Sequence, residues 1–212
     1  MPAKVHVSDH PLIATQLTRL RLHDLPPAEF RHGIKAVSSM LMYEAARELP
    51  LVDVPDLRSP VAAFTGKAIG TRIGLSPILR AGIGMTDAAL EVFPEATVLH
   101  LGLFRDKATL QAIEYYSKLP REPTADIVYV LDPLIATGGT AVAALGMLTE
   151  WGLPPSQIKL VSVLGSKVGV EHVTAEFPEV EVFIGAIDAE LTNKGYISPG
   201  LGDAGDRMFN TV

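Results

Sequence analysis

Beyond residue 70 the chain falls into a rhythm of short apolar runs, at 71–78, 96–103, 126–131, 158–164 and 180–185. Segments of helical character fill 83–93, 140–151 and 167–176 between them, while 105–122 is polar and reads as a loop. Apolar runs of this length, without alternating polar residues, suit strands covered on both faces. Strands alternating with helices predict α/β architecture, a central, mostly parallel sheet flanked by helices.

The first 50 residues have another pattern. Phe30, Ile34, Val37, Leu41 and Ala45 recur at steps of three and four, an amphipathic helical stripe. Pro26 and Pro27 suit its first turn and Pro50 closes it. A shorter helix carrying Ile13, Leu17 and Leu20 precedes it, and together they form a helical arm, an oligomer surface as readily as core. Residues 51–66 hold β-like pieces broken by Pro55 and Pro60, an irregular hairpin outside the main sheet. With 67–212 as core and C-terminal tail, the whole reads as one domain.

Composition removes several classes. A chain of 212 residues without cysteine has neither disulfides nor thiolate metal sites. A formal charge of −6 argues against a broad nucleic-acid footprint. No run approaches the ~20 apolar residues of a membrane span, and the N-terminus lacks a signal-peptide core. The six histidines are scattered and show no ligand spacing. These features predict a cytoplasmic protein.

Function is concentrated in three stretches. The first runs V-Y-V-L-D-P-L-I-A-T-G-G-T-A from Val128, so that a strand ends on Asp132 and opens through glycines into a helix. Open α/β sheets bind ligands at that edge. Gly138 and Gly139 let main-chain N–H groups approach an anion, Thr137 and Thr140 add hydroxyls, and the helix directs its positive dipole end there. An ordinary strand-to-helix turn of small residues explains the glycines equally well. No lysine follows them, so this is not a nucleotide P-loop. The second stretch, L-S-P-I-L-R-A-G-I-G-M, puts Arg80 before a helix start, where its guanidinium could fork onto a diphosphate. The third, G-Y-I-S-P-G-L-G-D-A-G-D-R at 195–207, has four glycines and apolar Tyr196, Ile197 and Leu201. It suits an ordered loop that reads a flat ligand with main-chain groups.

Together P-I-L-R-A-G, D-P-L-I-A-T-G-G-T and G-Y-I-S-P-G-L-G-D-A-G-D resemble the uracil phosphoribosyltransferases, a branch of the type I phosphoribosyltransferases. Weaker likeness, in H-P-L at 10–12, M-Y-E-A at 42–45, F-R-D-K-A-T-L at 104–110 and Y-Y-S-K-L-P at 115–120, extends it over nearly the whole chain. The resemblance implies the type I phosphoribosyltransferase fold and conversion of uracil and 5-phosphoribosyl 1-diphosphate (PRPP) to UMP and diphosphate in pyrimidine salvage. It implies PRPP binding by Arg80, Arg105, Asp132, Pro133, Leu134, Ile135, Ala136, Thr137, Gly138, Gly139, Thr140 and Asp203. Among these Ala136–Thr140 would take the 5′-phosphate, Asp132 the ribose hydroxyls, and Arg80 and Arg105 the diphosphate. Uracil would be read by Tyr196, Ile197, Gly202, Asp203 and Ala204. Catalysis would rest on Arg80, Arg105, Asp132 and Asp203. Mg²⁺ would arrive mainly with PRPP, with Asp203 facing it through water.

The resemblance further implies a homodimer or larger homo-oligomer and leaves GTP open as an effector. A plastid form, its transit peptide removed, is the alternative to a bacterial cytosol. Three departures stand out. Ser198 replaces an apolar residue of the family pattern, Ala108 and Ala112 replace an acid and a proline, and Gly165–Val170 differs from a proline-containing run. Asp206 and Arg207 could pair locally, and Met147 and Trp151 read as packing. Two rivals remain: a non-catalytic PRPP-binding regulator of the same fold, and the same chemistry on orotate or a purine.

Overall fold

In the computed structural model, which describes residues 4–105 and 112–211, the elements follow in a single series. Strand β1 (Val5–Val7) leads into α1 (Pro11–Leu20) and α2 (Pro27–Ala45), and then into a hairpin of β2 (Leu51–Arg58) and β3 (Ala63–Ile69). Next come β4 (Ile73–Leu79), α3 (Ile83–Val92), β5 (Thr97–Val98), β6 (Leu101–Arg105), β7 (Ala112–Ser117), β8 (Ile127–Leu131) and β9 (Leu134–Ile135). Helix α4 (Gly139–Glu150) precedes β10 (Ile158–Ser162), β11 (Leu164–Ser166), α5 (Lys167–Glu176) and β12 (Glu181–Ile184). The chain ends through β13 (Ile187–Asp188), β14 (Glu190–Leu191), β15 (Ile197–Ser198) and α6 (Ala204–Phe209).

The main sheet has the order β1-β12-β10-β8-β4-β6-β7, with β5 also paired to β4. Every pairing in it is parallel except β6 with β7. The expected α/β sheet is therefore present, and its central strand is β8. Side chains alternate across β8. Tyr129 and Leu131 join the apolar cluster under α1, α2 and α3, whereas Val128 and Val130 join the one under α4 and α5.

One expectation is corrected and two points are added. The polar segment 105–122 contains β7, which pairs antiparallel with β6 although Tyr115 and Tyr116 stay exposed. An edge strand exposed on both faces from Ile113 to Ser117 has no buried apolar run to betray it. Strand β1, in the N-terminal arm, extends the sheet beyond β12 and was not expected. The arm itself is core: Ile13, Leu17, Leu20, Phe30, Ile34, Val37, Leu41 and Ala45 are all buried. The side chain of Arg105 and residues 106–111, with Ala108, lie outside the described residues, as does the side chain of Ala112.

Two cations fasten the arm. Lys159 is buried in β10, and its Nζ donates to the Ala45 carbonyl at the end of α2 (2.8 Å) while lying over the rings of Tyr129 and Phe183. A cation at a helix C-terminus meets both the dipole and its unsatisfied carbonyls. Arg207 does not pair with Asp206. Its guanidinium donates to the carbonyls of Leu20 (2.6 Å), Leu201 (2.7 Å) and Leu22 and lies over the Phe30 ring. The last helix is thereby tied to the first two. Arg207→Met, which keeps the apolar stem, should lower unfolding free energy by about 2–3 kcal/mol through lost charged hydrogen bonds, read as an earlier urea midpoint at unchanged m-value.

Candidate active site

At the carboxyl ends of β4 and β8 the connections diverge, and α6 with the loop before it closes the opening. The result is a cavity of about 460 Å³ bordered by Arg80, Asp132, Ala136, Thr140, Tyr196, Ile197, Gly202, Asp203 and Ala204, among others. A smaller recess of about 90 Å³ continues it between Asp132 and the start of α4, lined also by Ile135, Thr137 and Gly138. Leu134 borders both. Three segments far apart in sequence thus meet around one space. Pro133 and Gly139 border neither; Pro133 is buried, and its carbonyl accepts from the Val163 and Leu164 amides (3.1 and 3.0 Å).

The recess is shaped by close backbone approach. Gly138 is the N-cap of α4 at φ 83°, a left-handed conformation, and a Cβ there would stand 2.6 Å from the Gly169 carbonyl. Both angle and space require glycine. Helix α5 therefore packs directly against the loop Ala136–Thr140.

Asp132 directly follows β8 in the wall of the cavity. Only 8% of it is exposed, and among the described residues its Oδ1 receives one long bond, from the Leu134 amide (3.4 Å). Burial pushes its pKa up to about 7, against a smaller lowering by that amide. Asp203 faces the same space and is the N-cap of α6, its Oδ1 accepting from the Asp206 amide (2.9 Å). Arg80 opposes them, half exposed, its Nη2 3.0 Å from Asp206 Oδ1 and its Nη1 3.4 Å from Thr211 Oγ1. Hydrogen bonding from Thr211 and then the Arg80 guanidinium hold the Asp206 carboxyl below its usual range, against the opposing effect of desolvation.

Two features escaped the sequence reading. Lys194 borders the cavity, a cation set just before the glycine-rich tail, and its position beside that motif was the available signal. Arg21 forks onto Asp188 (Nη1–Oδ2 2.7 Å, Nη2–Oδ1 2.8 Å) and donates to the Gly200 carbonyl (2.9 Å). Asp188 in turn accepts from the Gly200 amide (2.9 Å). Both polar groups of Gly200 are held in this way, so the loop between Ile197 and Gly202 is built on the arm. Hydrogen bonds from Arg21 keep the Asp188 carboxyl below its usual range. No sequence signal links two residues so distant.

Comparison with known proteins is decisive at this point. The model of the family described as uracil phosphoribosyltransferase matches residues 7–211. The chain belongs to the uracil phosphoribosyltransferase family. A uracil phosphoribosyltransferase from Roseiflexus sp. (strain RS-1) is 48% identical over 210 residues, 99% of either chain. One from Exiguobacterium sp. (strain ATCC BAA-1283 / AT1b) is 47% identical over 209 residues, 98% of this chain and 99% of its own. The solved structure of the AQ2163 protein from Aquifex aeolicus superposes with a TM-score of 0.90 at 35% identity, covering 97% of both chains. Members of this family are pentosyltransferases, and the cavity lies where such a sheet opens to its ligands.

The position of Asp132 makes stability depend on pH. Its pKa is raised in the folded state, so below about 4 both states are protonated and the residue costs nothing. Between about 4 and 7 the unfolded chain releases the proton first, and stability falls as pH rises; above about 7 the full cost is present. Asp132→Asn should therefore be as stable as the parent near pH 4 and more stable by on the order of a few kcal/mol at pH 8. Urea unfolding of both proteins at pH 4, 6 and 8 checks it.

Proposed function

We propose that the chain transfers the phosphoribosyl group of PRPP to N1 of uracil, releasing diphosphate and forming UMP. The observation that carries this reading is the meeting of Arg80, Asp132, the Ala136–Thr140 loop and the Ile197–Ala204 tail around one cavity, in a chain of this family. The bond from C1′ to the diphosphate oxygen breaks ahead of formation of the N1–C1′ bond. Positive charge then spreads over the ribose while negative charge gathers on the leaving group, so the enzyme acts by positioning and electrostatics.

In this reading the recess takes the 5′-phosphate on the amides and hydroxyls of Thr137, Gly138 and Thr140. Asp132 accepts from ribose hydroxyls, which add to the one long bond it receives among the described residues. Arg80 forks onto the diphosphate, exchanging its contact with Asp206, and Lys194 adds a second cation. Backbone groups of Ile197 and Gly202–Ala204 read the edge of uracil. No group of three or more potential metal ligands occurs among the described residues. Two carboxylates facing the cavity fit a hard cation carried by the substrate more than a protein-built cage. Mg²⁺ bound to PRPP would neutralise the leaving diphosphate.

The full set of base-facing residues favours turnover over a purely regulatory role. No helix of the described residues is long and apolar enough to cross a membrane; the cytoplasmic setting belongs to the proposal. Self-association is better supported through the hairpin than through the arm. Leu51, Val52, Val61, Phe64 and Ile69 are exposed on the hairpin, while the arm's apolar stripe is consumed by the core. An effector role for GTP rests on the resemblance alone.

Uracil with PRPP and Mg²⁺ should yield UMP and diphosphate, with orotate, hypoxanthine and xanthine near background. No diphosphate from uracil overturns the enzyme reading, and preference for another base overturns the substrate. Asp203→Asn keeps a good N-cap for α6, because asparagine caps as well as aspartate. It should therefore fold normally yet lose roughly tenfold or more in kcat/KM, in keeping with removal of a charge facing the reacting groups. Steady-state kinetics beside a urea unfolding curve check both halves.

A further inference from the structure

A loop that turns its amides toward an anion turns the carbonyls of the same peptides the other way, because each peptide is planar and trans. Those carbonyls need donors behind the loop. Helix α5 and the residue before it supply them. Ser166 Oγ donates to the Ala136 carbonyl while accepting from the Gly169 amide (2.9 Å), and His172 Nδ1 lies 2.8 Å from the Thr137 carbonyl. A carbonyl can only accept, so His172 carries its proton on Nδ1. The Ala136 carbonyl shares its peptide with the Thr137 N–H, and the Thr137 carbonyl shares its peptide with the Gly138 N–H. Thr137 and Gly138 are the residues that line the recess beside Thr140.

We infer that His172, with Ser166, is a positioning residue for PRPP: it grips the rear carbonyls of the loop and so aims the Thr137 and Gly138 amides at the 5′-phosphate. This rests on the reading that the loop takes that phosphate. It gives a role to the Gly165–Val170 stretch, the departure from the family pattern that the proposed chemistry had left unused. Gly169 completes the arrangement, because a Cβ on it would collide with the backbone of Ala136 and push the helix off the loop. Ser166 is also the N-cap of α5, so its removal would mix helix stability with loop aim. His172 is exposed on the helix face and is the cleaner probe.

The test is calorimetric binding of PRPP with Mg²⁺, without uracil, to the full chain, His172→Ala and His172→Asn, followed by steady-state kinetics and urea unfolding of all three. Loss of one hydrogen bond should weaken PRPP binding roughly three- to tenfold in His172→Ala. KM for uracil and the urea midpoint should stay near parental values, and His172→Asn, whose amide N–H reaches the same carbonyl, should recover most of the PRPP affinity. Unchanged PRPP binding in His172→Ala, or equal losses in the alanine and asparagine variants, overturns the inference alone. So does an equal rise in the constants of both substrates with a lowered midpoint, the signature of a merely structural residue. Parent protein that fails to bind PRPP overturns the reading of the loop and the inference with it, whereas PRPP binding without UMP formation overturns only the proposed reaction.

Discussion

A carboxylate withheld from water at the end of the central strand sets the terms for the rest of the site. Asp132 directly follows β8 and receives, among the described residues, one long hydrogen bond, and burial raises its pKa to about 7. An ionised group so placed is costly until donors arrive. The fold tolerates it because two apolar clusters, one on each face of the sheet, grip β8 through Tyr129 and Leu131 on one side and Val128 and Val130 on the other. A strand anchored on both faces holds in place the residue that follows it, which borders the cavity. The same anchoring fixes the start of the loop that follows.

The tail reaches that cavity by a different device. It contributes little regular structure of its own, yet Ile197, Leu201, Ala204 and Met208 are buried and extend the cluster made by α1 and α2. Arginines complete the attachment: Arg21 holds Gly200 and Asp188, Arg31 donates to the Met208 carbonyl (2.6 Å), and Arg207 reaches back to the end of α1. Guanidinium groups suit this task because their forked donors satisfy several carbonyls of an irregular backbone at once. The N-terminal arm is thus the platform of the loop proposed to read the base.

What the sequence revealed, and what it hid, divides along physical lines. Helices α1 to α5 and the buried parallel strands were legible because each carries its own periodicity or apolar run, and the glycine turns were legible because special backbone conformations restrict residue type. Strand β7 was hidden by its exposed tyrosines, and β1 by its brevity and its dependence on a partner near the other end of the chain. The convergence of Arg80, Asp132 and the tail could be expected from three motifs. The Arg21–Asp188 fork, the Arg207 staple and the Ser166 and His172 contacts could not, since a hydrogen bond between distant residues leaves no pattern around either one. Lys194 falls between these cases, visible beside its motif but without a spacing that marks it.

Helix α6 joins the two halves of the site more tightly than its six residues suggest. Asp203 faces the cavity at its first turn and receives the Asp206 amide; the Asp206 carboxylate, braced by Thr211, holds Arg80 across the cavity mouth. A shift of the tail on meeting a base would move the cap, and with it the counter-ion of the arginine proposed to take diphosphate. Occupation of Arg80 by diphosphate would free the Asp206 carboxylate from the guanidinium and leave it with Thr211. The subsites proposed for base and diphosphate, though built from segments over a hundred residues apart, therefore meet at one short helix.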